Sequence, residues 1–196
     1  MFEWRIGDTT LRVGVPFFAL TALILTLDRG PVTLSCMLAS ALHEGGHLIP
    51  LFLWKHAPRR ISLGVFGISI LQRTDTLSYA KQSAVLLAGP AVNLLMAALL
   101  AATGGSAAAL TAHLVMGCFN LLPVEALDGG QCLYCLLASR YGESAARRTV
   151  RGISAAFLLP LATLGFFLLL QKGNPSLLAV SVYLVLRLFG KGVREI

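Results

Sequence analysis

The sequence predicts an all-α polytopic membrane protein of about six transmembrane helices, with a short re-entrant β-hairpin and a broken fourth helix. Three observations carry that expectation. Apolar residues make up 56% of the 196 and charged residues 13%, against roughly 45–50% and about 25% in a soluble domain. The apolar residues fall into six runs separated by short polar connectors, the pattern that a window of about 20 residues reads as membrane spans. The basic residues sort to one side of the resulting topology. The net charge of +7 raises the question of a nucleic-acid partner. The lysines and arginines occupy the connectors, however, where they serve as anchors facing anionic lipid, so no nucleic acid is expected.

The first run is Leu11 to Leu27, ended by Asp28-Arg29-Gly30-Pro31. The preceding residues carry Glu3 and Asp8 beside Arg5 and Arg12, which does not fit a cleaved signal peptide. The second run is Pro31 to Trp54. After it, Ile61-Ser62-Leu63-Gly64 and Gly67-Ile68-Ser69-Ile70 read as two short strands joined near Val65-Phe66, because apolar and small residues alternate. An exposed strand edge at membrane depth must be covered by protein or by a bound peptide. Gly64 and Gly67 are therefore candidate substrate-binding positions, where backbone pairs with an extended chain. The third run is Tyr79 to Ala102, closed by the turn Thr103-Gly104-Gly105-Ser106. The fourth, Ala107 to Ser139, is interrupted by Pro123 and by Gly129-Gly130. The fifth is Gly152 to Leu170, and Gly173-Asn174-Pro175 turns the chain into the sixth, Ser176 to Phe189.

Cytoplasmic termini put Arg5, Arg12, Lys55, Arg59, Arg60, Arg73, Lys81, Arg140, Arg147, Arg148, Arg151, Arg187, Lys191 and Arg194 inside, and only Arg29 and Lys172 outside. Fourteen against two obeys the positive-inside rule for six spans. The expected setting is a bacterial cytoplasmic membrane with lipid as the surrounding partner. The whole chain, 1–196, is expected to form one membrane domain with a core over about 31–139 and no appended soluble domain.

The second run holds His43-Glu44-Gly45-Gly46-His47. On a helix the two imidazoles lie about 40° apart on one face, which suits two nitrogen ligands on one zinc ion, with Glu44 as general base. Charged groups at membrane depth are costly and by default mark function. A catalytic zinc takes three protein ligands, and Asp128, an acid beside the break in the fourth run, is the best third candidate. Capping of the helix that starts at Gly129 is the bland alternative for Asp128. Both runs travel inward, which places the two clusters in the cytoplasmic half of the bilayer. Cys132 and Cys135 have the spacing of a thiol pair, but they read as small apolar residues of a membrane helix. His56 reads as an interfacial anchor. His113 reads as a packing or interface residue, with a polar path as the alternative. Cys36 shares a helix face with His43 and reads as packing.

Three segments together resemble the signatures of the site-2 proteases, intramembrane zinc metalloproteases. They are His43-Glu44-Gly45-Gly46-His47, Gly89-Pro90-Ala91-Val92-Asn93, and Asn120-Leu121-Leu122-Pro123-Val124-Glu125-Ala126-Leu127-Asp128-Gly129-Gly130. The six-span layout is most similar to the compact branch that contains the sporulation-factor processing protease. The resemblance implies one Zn2+ per chain held by His43, His47 and Asp128, with catalytic Glu44 and Asn120. It implies that Asn120 also holds the substrate, with Asn93 as a further substrate-binding position. The implied substrates are membrane-spanning or membrane-associated proteins, cut with or without regulatory membrane proteins as partners, by a domain without PDZ or CBS additions. Where the family often has a second proline, this chain has Glu125. Its alternatives are facing the interface or tuning the site. A proteolytically inactive zinc-binding scaffold of the same fold is the competing functional reading.

Overall fold

The computed structural model describes residues 2–6, 9–56, 60–64, 67–71, 77–173 and 175–189. Among them are four strands and seven helices: β1 (Phe2–Ile6), β2 (Thr9–Val13), α1 (Val15–Leu27), α2 (Pro31–Leu53), β3 (Arg60–Gly64), β4 (Gly67–Leu71), α3 (Tyr79–Thr103), α4 (Ala107–Asn120), α5 (Asp128–Tyr141), α6 (Glu143–Lys172) and α7 (Ser176–Phe189). The chain forms two compact units. The first takes in β1–β4, α1, α2, α3 from Ala88 onward, and α4 as far as Phe119; the second takes in the start of α3, the 120–127 segment, α5, α6 and α7.

In the first unit the expected hairpin is one half of a four-stranded sheet. Strand order is β1-β2-β3-β4. Residues β3 and β4 pair antiparallel and close at Gly64 opposite Gly67, while β2 runs parallel to β3, Leu11 opposite Ile61. The expected hairpin is therefore present, with two further strands, β1 and β2, beside it. Leu11 to Val13, assigned above to the first span, belong to β2, and α1 starts at Val15. Among the described residues, β4 is the edge strand of the β3–β4 hairpin.

Pro31 starts α2 at the position where its missing N–H costs nothing. Asp28 ties down the entry: its carboxylate accepts from Gly30 N–H at 2.7 Å and from the Thr33 hydroxyl. Those two bonds, Thr33 first, hold the exposed Asp28 carboxyl below its ordinary pKa. The helix ends on a left-handed Lys55 at φ 56°. His56 N–H returns to Leu51 O at 2.9 Å and Lys55 N–H to Phe52 O at 3.0 Å, the paired bonds of a Schellman closure. His56 Nδ1 lies 2.6 Å from Trp54 O, so this histidine finishes the helix end.

In the second unit the fifth run begins earlier than hydropathy indicates. α6 starts at Glu143, directly after Gly142 at φ 80°. The segment Glu143–Arg151 is too charged to read as a span, yet it is rich in good helix formers. Tyr79 OH donates to Glu143 Oε1 at 3.0 Å. α7 packs along α6 at Gly165, where a Cβ would come within 2.7 Å of Leu178 N.

Two of the described helices are long and apolar enough to cross a membrane, over Tyr79–Thr103 and Glu143–Gln171. Only 28% and 17% of their most apolar windows are buried, unlike the core helix of a soluble protein. Large apolar side chains such as Leu159, Phe166, Phe167 and Leu170 on α6 face outward, the surface that lipid would cover. α4 and α7 are shorter apolar helices.

Candidate metal centre

His43 and His47 are one turn apart on α2, and both are buried. Their Nε2 atoms converge to 3.3 Å, and their rings meet edge to face. Two nitrogens about 2.05 Å from one tetrahedral zinc are about 3.3 Å apart, so the pair already has the spacing of two ligands on one ion. His43, His47 and Asp128 could bind a metal. Two imidazoles and one carboxylate are a zinc donor set. Glu44 is half-buried on α2.

The histidines owe their placement to α3. A Cβ on Gly89 would sit 2.5 Å from the Cε1 and Nε2 atoms of His47, so only glycine leaves room for that ring. A Cβ on Gly46 would meet Ala88 O at 2.8 Å and Gly89 Cα at 2.9 Å, which allows the two backbones to touch. Gly45, by contrast, faces open space. One turn beyond Gly89, Asn93 is fully buried, with Nδ2 3.2 Å from His43 Nδ1. Its Oδ1 lies 3.0 Å from Nδ1 of the buried His113 on α4. One turn after His113, Gly117 lies against Leu94 and Pro90. Three helices thus each present two residues spaced by four: His43 and His47, Asn93 and Gly89, His113 and Gly117. The two contacts between α2 and α3 require those helices to run antiparallel here.

The fourth run breaks into α4 and α5. Asn120, half-buried, is the last residue of α4. The 121–127 segment coils tightly, with Val124 N–H to Leu122 O and Leu127 N–H to Val124 O, both at 2.8 Å. Asp128 opens α5 inside its first turn, after the N-cap residue Leu127. It is thus not the cap, and the helix dipole favours its charge. Gly129 and Gly130 let the coil fold back on α5: a Cβ on Gly129 would lie 2.2 Å from Leu121 O, and one on Gly130 2.0 Å from Val124 O. Glu125 pins the coil to α6. Its N–H donates to the buried Ser154 Oγ at 2.8 Å, and its Oε2 accepts from Arg151 Nε at 3.3 Å. Cys132 and Cys135 are both buried on α5, with Cys135 Sγ 3.6 Å from Gln82 Oε1, whereas Cys36 is exposed, against its expected packing role.

Sequence reasoning named His43, Glu44, His47, Asn93, Asn120 and Asp128. It missed the link from Asn93 to His113 and the steric role of Gly89. The four-residue spacing of Gly89 and Asn93, equal to that of the histidines, was the available signal. Gly64 and Gly67 close the β3–β4 hairpin within the sheet.

No protein-family model matches the chain, and no curated protein does. Among solved structures, a site-2 protease from Methanocaldococcus jannaschii superposes with a TM-score of 0.65 over 93% of this chain and 92% of that one, at 19% identity. The chain therefore has the fold of that protease.

Proposed function

We propose that this chain is a member of the site-2 protease family, an intramembrane zinc metalloendopeptidase. The observation that carries this reading is the convergence of His43 and His47 at zinc-ligand spacing, in a chain with a site-2 protease fold. His43, His47 and Asp128 would hold one Zn2+, which would lower the pKa of water toward neutrality and polarise the scissile carbonyl. Glu44 takes the proton from the attacking water and passes it to the leaving amine. Asn120 donates a hydrogen bond to the developing oxyanion and helps hold the substrate. The open edge of β4, beside the Gly64–Gly67 closure, is suited to pairing with an unwound substrate strand.

The substrates on this reading are membrane-spanning or membrane-associated proteins, with or without regulatory membrane proteins. The topology is six spans with both termini cytoplasmic and the site in the inner half of a bacterial cytoplasmic membrane. This rests on the fourteen-to-two sorting of basic residues.

Purified protein in detergent should contain about one zinc and cut a model transmembrane peptide. Glu44→Gln should keep the zinc and lose at least about 100-fold in cleavage rate, the usual scale for removing a general base. Equal cleavage by wild type and Glu44→Gln would sink the mechanism. Zinc without any cleavage would leave the inactive scaffold as the correct reading.

A further inference from the structure

A neutral imidazole has one ring nitrogen with a proton and one with a lone pair, and its surroundings decide which is which. His43 directs Nε2 toward His47. If His43 holds a metal through Nε2, as the proposed function requires, its proton must sit on Nδ1, and Nδ1 then needs an acceptor. The group there is the fully buried side-chain amide of Asn93, whose Nδ2 lies 3.2 Å from Nδ1 and whose Oδ1 faces His113, so a half-turn of the amide is what brings an acceptor to Nδ1. On the opposite side of that amide is His113 Nδ1, at 3.0 Å and 1% exposed.

An amide carries one acceptor and one donor on a rigid plane, and a half-turn exchanges them. With oxygen toward His43, the amide accepts from Nδ1–H, leaves the Nε2 lone pair available, and donates through Nδ2 to His113 Nδ1. With nitrogen toward His43, it donates to Nδ1, forces the proton onto Nε2, and accepts from His113 Nδ1–H. Either arrangement gives both Nδ1 atoms a partner, but only the first leaves His43 Nε2 free to ligate. The tautomers of His43 and His113 are therefore coupled through the orientation of one buried amide.

We propose that Asn93, backed by His113, is a positioning residue for His43: its amide, turned with Oδ1 to His43 Nδ1–H, selects the imidazole tautomer that presents Nε2 to the metal. This replaces substrate contact as the role of Asn93, and it rests on the zinc-binding reading above. Orienting groups behind a metal-ligating histidine are generally worth about 10–100-fold in metal affinity.

The test is zinc affinity of the detergent-purified full chain, measured by chelator competition, with helicity and thermal unfolding as fold controls. Asn93→Ala should weaken zinc by about 10–100-fold. Asn93→Asp, which can only accept at Nδ1–H when ionised, should stay within about threefold of wild type. His113→Leu should weaken zinc less than Asn93→Ala, and His113→Asn, which restores a donor and an acceptor near the Nδ1 position, should recover it. A measurement free of any folding problem uses wild type: ring-nitrogen chemical shifts of 15N-histidine protein should show His43 with its proton on Nδ1 when zinc is added. Zinc affinity unchanged in a folded Asn93→Ala, or a proton on Nε2 of His43 in the zinc-loaded wild type, overturns the proposal. If wild type binds no zinc, the proposed function itself falls, and this inference with it.

Discussion

The two stretches that carry the candidate ligands are held by opposite means. The α2 histidines are fixed by side chains: His43 against Asn93, Asn93 against His113, and the His47 ring over Gly89. The turn ahead of Asp128 is fixed by backbone, with its carbonyls packed against two glycines and one N–H held by Ser154. The first arrangement specifies where ring nitrogens point. The second specifies where a chain reverses. Damage to the first should therefore appear mainly as lost metal affinity in a folded protein, and damage to the second mainly as lost stability.

The largest effect should come from the second stretch. Gly130→Ala forces a Cβ to 2.0 Å from a backbone oxygen, which no rotamer can relieve. About 3 kcal/mol or more of stability should be lost, measured by denaturant or thermal unfolding in detergent. If Gly130→Ala unfolds like wild type but loses zinc, the contrast breaks down. Gly89→Ala should come next. Its sharpest clash is with a side chain, the His47 ring at 2.5 Å, which can swing aside, although the Cβ also comes within 3.0 Å of His43 O. A loss of about 1–3 kcal/mol is expected, together with at least about a tenfold loss of zinc affinity, since His47 leaves its place. Calorimetry with zinc on the folded variant separates the two.

Ser154→Ala should be milder. It strands the Glu125 N–H and should cost about 1–2 kcal/mol, with zinc affinity within about threefold of wild type. Arg151→Ala removes only the half-exposed ion pair to Glu125 and should cost less than about 1 kcal/mol. Unfolding midpoints of the two variants order them. The smallest effect should be at the α2 entry. The Asp28 carboxyl is more acidic in the folded chain than unfolded, so its contribution is present above its unfolded value. That contribution fades as pH falls through its lower folded value. The stability gap between wild type and Asp28→Asn should therefore be present at pH 6 and shrink below about pH 4. An unchanged gap at low pH would show that the Asp28 bonds contribute nothing.

Sequence alone located the apolar runs closely. The second and third runs match α2 and α3 to within a residue, because Pro31 and the Thr103–Ser106 turn are local signals. The break before Asp128 was legible for the same reason, since Pro123 and paired glycines act within one turn. What escaped depends on distant partners. Phe2, Trp4, Leu11 and Val13 alternate as strands do, but the parallel pairing of β2 with β3 joins segments about 50 residues apart. The polar start of α6 was hidden by its charge. His113 resembled any polar residue near a helix end, and only the packing of α3 beside α4 gives it Asn93 as a partner. Glu125, an oddity in the motif, proved to be a tether to Arg151 and Ser154.

The repeat of four on α2, α3 and α4 also sets what length changes the chain can absorb. One extra residue between positions 89 and 93 would rotate Asn93 by about 100° about the helix axis while leaving Gly89 in place, splitting the rung that serves His43 from the one that serves His47. The same extra residue in the Thr103–Ser106 turn leaves the internal phase of α3 and of α4 intact. Across descendants of this sequence, insertions and deletions should therefore accumulate in that turn and spare the interval 89–93.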